Sequence, residues 1–114
     1  MYKIISVLLF LTLSCQHKDI ESKTTQNVLN HNQMVHILKD IRLADSNAKL
    51  LKINRDSMNV LLEHHYDTIF QLHKVKKKAF IESYIYYMEQ PDQLNLIFEK
   101  VIEDLLKLDL ENKN

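Results

Sequence analysis

The sequence predicts an all-α fold, a small bundle of three to four helices that follows a cleaved leader. Three observations predict it. The 114 residues include no glycine and one proline, Pro91, so tight Asn-Gly hairpins are missing and a β-rich fold is disfavoured. Apolar residues recur at helical spacing in successive stretches from Met34 to Leu108. Residues suited to helix starts, namely Asn30, Asn54 and Pro91, precede or open three of these stretches.

Residues 1–14 form the leader: Met1-Tyr2-Lys3, an apolar run from Ile4 to Leu13, then Ser14. A basic residue, about ten apolar residues and a small residue before the cut make a secretory pattern. The run is well short of the roughly 20 apolar residues of a permanent membrane span. Leu11-Thr12-Leu13-Ser14-Cys15 resembles the lipobox of bacterial lipoproteins, with Thr12 where leucine is usual. The likeness implies a lipoprotein signal peptide, diacylglycerol on the Cys15 thiol and cleavage just before it. An ordinary signal peptide with a chance cysteine, or a short buried strand, is the plainer alternative. Acyl chains hold a protein to a bilayer at about 0.8 kcal/mol per buried CH₂, so two or three anchor it stably. Gln16 stands where enterobacterial sorting rules would place an aspartate for inner-membrane retention, so the outer membrane is expected.

Residues 15–29 comprise the lipidated cysteine and a polar tether, in which Gln16–Asn27 lacks apolar periodicity. As a coil it would hold a domain on the order of 20 Å from the lipid. The helical domain is expected over 30–112. Its first helix, about 31–52, has Asn30 as N-cap, Gln33 at the capping-box position and a Leu29–Met34 staple. Its stripe is Met34, Ile37, Leu38, Ile41, Ala44, Ala48 and Leu51. Asn54 caps a second helix, about 55–73, carrying Met58, Leu61, Leu62, His65, Tyr66, Ile69, Phe70 and Leu72.

No helix breaker separates Leu72 from the next stripe of Phe80, Tyr84, Tyr87 and Met88, and lysine is a good helix former. A third helix is nevertheless assigned to about 76–89, with a break near Lys74 taken from the family likeness given below. Pro91 and Asp92 open a fourth, about 91–111, with Leu94, Ile97, Phe98, Val101, Ile102, Leu105, Leu106 and Leu108. That stripe is wide enough to need two neighbours. Helix four is therefore expected at the centre of the bundle, the alternative being that it also meets another chain.

Three stretches resemble a family of small Bacteroidota lipoproteins, the domain of unknown function number 4296. Met34–Asp45 is similar to the family's first helix, in which apolar pairs precede Asp, a basic residue or His, Leu, Ala and an acid. Phe80-Ile81-Glu82-Ser83-Tyr84-Ile85-Tyr86-Tyr87 is like its F-x-x-S-x-x-Y-Y. Gln90-Pro91-Asp92-Gln93-Leu94 is like its Asn-Pro-Glu-x-Leu. The family's Lys-His-Gly-Ile-Thr, a helix stop and restart, corresponds to Leu72-His73-Lys74-Val75-Lys76, with lysine in place of the glycine and of the capping threonine. The resemblance implies an envelope lipoprotein of unassigned activity.

Without glycine there is no phosphate-cradling loop, dinucleotide fingerprint, G-x-S-x-G elbow or standard calcium loop. A single cysteine, Cys15, leaves no internal disulfide or multi-cysteine zinc site. No H-E-x-x-H is present, and neither metal nor cofactor is expected. The formal charge is zero and falls to about −1 if Lys3 leaves with the leader, so no overall field draws the protein to nucleic acid, and no nucleic-acid partner is expected.

Asp45 lies one turn after Ile41, at the edge of the first apolar stripe, and Asp40 and Arg42 flank Ile41. A partly buried acid needs Arg, Lys or a Tyr hydroxyl, so they read as an internal polar clasp or, alternatively, as an interaction face. Tyr86 and Tyr87 are adjacent and cannot both enter one core; they read as helix packing or as a docking patch. Lys74, Lys76, Lys77 and Lys78 read as a solvated helix junction or as a contact for lipid or lipopolysaccharide phosphates. The expected function is that of a lipid-anchored envelope module, with no catalytic residue, that binds another envelope component, most simply a protein. A chaperone-like or lipid-handling module is the first alternative. A small hydrolase using Ser46, Ser57 or Ser83 is the second, although no elbow or oxyanion loop accompanies them.

Overall fold

The computed structural model describes residues 27–114. The expected leader, Cys15 and the expected tether up to residue 26 lie outside the described residues. The fold is an all-α small bundle: α1 (His31–Lys49), α2 (Arg55–Leu72), α3 (Lys77–Met88) and α4 (Pro91–Asn112), with no strand among the described residues.

Local chemistry explains most of the helix starts. Asn30 Oδ1 accepts from the Gln33 N–H at 2.9 Å and Gln33 Oε1 accepts from the Asn30 N–H at 3.0 Å, so the capping box satisfies two otherwise unpaired donors. Asn54 Oδ1 accepts from the Ser57 N–H at 2.9 Å and starts α2. Pro91 occupies the first turn of α4, with Asp92 beside it at the positive end of the helix dipole.

α1 ends at Lys49, short of the expected 52. The chain tightens there, with Leu50 N–H bonded to Asn47 O and Leu51 N–H to Ala48 O. Leu50 and Leu51 are exposed, so no packing holds a further turn.

The break between α2 and α3 is built by a Schellman motif. The Val75 N–H reaches Phe70 O and the Lys74 N–H reaches Gln71 O, both at 3.0 Å. Lys74 has φ 54, the one positive φ among the described residues. Val75 then folds back onto Ile37, Ile69 and Phe70, the apolar contact that accompanies this cap. Lys76 starts α3 with no side-chain cap, and Lys77 and Lys78 follow at the dipole's positive end. Tertiary contacts, not local propensity, therefore form this corner.

α1 packs along α2 on one side and α4 on the other, and α4 also meets α3. α1 supplies buried residues to both apolar clusters: Met34, Val35 and Leu38 beside Tyr87, Ile97 and Val101, and Ile37 beside Ile69 and Phe70. Phe80 packs against both, with its ring 5.2 Å from that of Phe70. The central element is thus α1, and the expectation that helix four would be central is corrected. The fourth helix does have two neighbours, but they cover only one side of its wide stripe. Ile97 and Val101 are buried, whereas Leu96, Ile102, Leu106 and Leu110 are each more than half exposed.

A side chain in the left-handed region costs roughly 1–2 kcal/mol, partly offset in glycine by its freedom in the unfolded chain. Lys74→Gly should therefore raise stability by about 1 kcal/mol and the melting midpoint by about 4–8 °C. Lys74→Ala, which keeps the Cβ, should not. Urea unfolding of the two variants checks this.

Candidate functional site

Two residues of the F-x-x-S-x-x-Y-Y stretch lie one turn apart on α3 and seize the same backbone unit. Ser83 Oγ accepts from the Leu29 N–H at 2.8 Å, and the Tyr87 hydroxyl donates to Leu29 O at 2.8 Å. Ser83 is fully buried and also donates to Ala79 O at 2.7 Å. The segment that enters α1 is thereby pinned on both faces of its peptide chain, and no buried side-chain polar atom lacks a partner among the described residues. His31 adds an edge-on contact to the Tyr87 ring at 5.3 Å.

Tyr87 was a docking candidate in the sequence, but it is buried and offers no surface; burial, then its neighbour Tyr86, raise its pKa. Tyr86 is half-buried, its ring edge-on to that of Tyr87 at 5.2 Å. Ser83, a nucleophile candidate, has its hydroxyl committed to Leu29 and Ala79. Ser46 is exposed, and no hydrogen bond joins a serine hydroxyl to a histidine among the described residues.

The three charged residues of α1 part company. Asp45 accepts from the Tyr66 hydroxyl at 2.6 Å, which joins α1 to α2. Burial and the Asp45 hydrogen bond push the Tyr66 hydroxyl up to about 12, with Arg42 pulling the other way. Asp40 lies 2.6 Å from His73 Nε2, at the last cap of α2. The pairs Asp45–Tyr66 and Asp40–His73 set α1 and α2 antiparallel. Arg42 is exposed and forms no ion pair among the described residues. Tyr86 and Tyr87 sit on the other side of α1, against α4, so the five residues do not form one site. Sequence reasoning missed Tyr66 and His73 as partners. The two pairs run in opposite order along the chain, as antiparallel helices require, but five residues separate 40 from 45 and seven separate 66 from 73, so no matched spacing announces them.

An open cleft of about 550 Å³ lies between the entry segment and the α2–α3 corner, bordered by Val28, Gln33, Lys74, Lys76, Lys78 and Glu82. Lys77 does not line it. Lys78 approaches Glu82 at 3.8 Å on the exposed surface, a weak pair. Among the described residues no group of His, Cys, Asp and Glu is placed to hold a metal ion.

α4 presents three faces. Ile97 and Val101 turn inward. A second face carries a network in which Lys100 meets Glu103 and Asp104 at 3.3 and 3.1 Å and Lys107 meets Glu103 at 2.7 Å. The hydrogen bonds that Lys100 donates to Asp104 and Glu103 raise its pKa, and those that Glu103 accepts from Lys107 and Lys100 lower the pKa of Glu103. The third face is Ile102, Leu106 and Leu110, spaced by four and therefore aligned as an uncovered apolar ridge. No helix of the described residues is long and apolar enough to cross a membrane.

A family model described as a domain of unknown function, DUF4296, matches residues 26–110. No curated protein and no solved structure matches.

Removing either hydroxyl of the clamp leaves a backbone group of Leu29 without its partner. Ser83→Ala and Tyr87→Phe should each cost about 1–3 kcal/mol in urea unfolding. Ser83→Ala should also speed hydrogen exchange at the Leu29 amide. Between its unfolded value of 10 and about 12, Tyr66 keeps its proton only in the folded chain. Its contribution to stability is present below pH 10 and is lost as pH rises toward 12. Tyr66→Phe should remove the highest step of the phenolate absorbance titration and flatten the fall in stability across that window.

Proposed function

The chain belongs to the DUF4296 family of unknown function, and from that premise we infer that it is a lipid-tethered module of the bacterial cell envelope that works by docking onto another envelope protein. The leader pattern and Cys15 support the anchor. The observation that carries the docking reading is the ridge of Ile102, Leu106 and Leu110 on α4.

Single exposed aliphatic residues are common on protein surfaces, but three aligned over about two turns of one helix are a patch. The helix that bears them is held in place by α1 and α3 and by its own lysine–carboxylate network, so the ridge is presented on a rigid element. A partner that covers it completes the burial that the wide stripe of this helix calls for. The ridge projects from a helix surface, a shape that favours apposition to a protein face over enclosure of a lipid chain.

Three expected outcomes test this. Mass analysis of the protein isolated from envelopes should find acyl chains on Cys15 as the N-terminal residue; an intact leader with an unmodified thiol would end the tethered reading. Crosslinking in envelopes should trap one defined protein partner, and Leu106→Glu should abolish the adduct. Because Leu106 is exposed, that substitution should shift unfolding by less than about 0.5 kcal/mol. An undiminished adduct would remove the ridge from the interface.

A further inference from the structure

The α1–α2 corner is a second apolar surface, and its chemistry differs from that of the α4 ridge. Residues 49–57 are all exposed. Within Lys49-Leu50-Leu51-Lys52-Ile53-Asn54-Arg55, cations and aliphatic residues alternate in short blocks, and Val60 follows one turn into α2. Leu50 is 80% exposed and Val60 70%, and Leu51 and Ile53 between them are exposed as well. Ile53, Val60 and Leu61 also line a shallow, mostly apolar depression along the start of α2.

The corner's cations meet no carboxylate, a property they share with Lys39, Arg42, Lys74, Lys76 and Lys77 among the described residues; what sets them apart is that they are interleaved with exposed aliphatics. Lys78, Lys100, Lys107 and Lys113 each meet a carboxylate, whereas Lys49, Lys52 and Arg55 meet none among the described residues. Lys49 suits the negative end of α1, but Arg55 stands in the first turn of α2, where the helix dipole opposes it. Residues 49–57 include three cations and one acid, Asp56. A helix corner at which exposed aliphatic side chains are interleaved with cations that meet no carboxylate matches a bilayer interface: apolar groups enter the acyl boundary while the cations stay level with phosphates.

We propose that the α1–α2 corner, through Leu50, Leu51, Ile53 and Val60 with Lys49, Lys52 and Arg55, docks on an anionic lipid bilayer. The proposal rests on the tethered reading only for bringing the domain to a membrane. The geometry permits it: the corner lies about 28 Å along α1 from Leu29, and the chain between Cys15 and Leu29 reaches at most about 50 Å. The domain then lies along the lipid surface, touching it at the far end of α1.

The chain has no tryptophan, so Leu51→Trp in the full chain is a lone fluorescent reporter. The chain is placed, by its own N-terminus, in vesicles of brominated phosphatidylcholine, alone or mixed with phosphatidylglycerol. Strong quenching by bromine is expected on the mixed vesicles, several-fold weaker quenching on phosphatidylcholine alone, and the same reduction on mixed vesicles for Lys52→Glu/Arg55→Glu, since each cation near an anionic surface contributes about fivefold in binding. Leu106→Trp should stay unquenched. An unquenched Leu51→Trp, quenching indifferent to lipid charge and to the double reversal, or quenching of Leu106→Trp instead would each overturn the proposal. The mass at Cys15 is read on the same sample. An acylated chain with an unquenched corner refutes the corner alone, and an unacylated chain with a charge-dependent signal refutes the anchor alone.

Discussion

The corner at His73, Lys74 and Val75 governs the rest of the fold. A chain without glycine has to reverse out of α2 on a residue with a Cβ, and Lys74 takes the left-handed conformation to do so. The Schellman bonds from Val75 to Phe70 and from Lys74 to Gln71, with the return of Val75 onto Ile37 and Ile69, hold it there. Were α2 to run on, α3 would not turn back along the start of α1, and Ser83 and Tyr87 would not reach Leu29. A backbone penalty at one residue thus buys a helix whose inner edge closes the first cluster.

Around that corner the two sides of α1 are held by different means. Toward α4 the contact is apolar, with Met34, Val35 and Leu38 meeting Ile97 and Val101. Toward α2 the apolar contact of Ile37 with Ile69 and Phe70 is flanked by Asp45–Tyr66 and Asp40–His73. Partly buried polar pairs add little net stability, but they penalise any sliding of one helix past the other, because each slip leaves a carboxylate without its donor. The polar pairs on α2 and the hydroxyls on α3 fix register on two flanks of one central helix, which compensates for a small buried core.

The legibility of the fold follows the range of its causes. Asn30 with Gln33, Asn54 with Ser57, and Pro91 with Asp92 act within one helical turn, so a linear reading reaches them. Lys74 carries no local signal for a left-handed residue; only the glycine that the family shows at the matching place pointed to a stop. Ser83 could be read as a motif letter or as a nucleophile, but not as the acceptor of an amide 54 residues away. Asp45 announced its need for a donor without saying that Tyr66 would meet it. The width of the α4 stripe was visible, yet width alone cannot tell a central helix from one whose outer flank stays bare. Periodicity records how much apolar surface a helix has, not how much of it its own chain can cover.

The double hold on Leu29 has a mechanical consequence. Any pull on the chain ahead of residue 28 arrives first at the Leu29 peptide groups, which are gripped by two hydroxyls of one helix. Such a load divides between bonds stretched together, in shear, instead of peeling α1 away turn by turn. The entry to α1 is therefore braced at the residue where such a load first arrives.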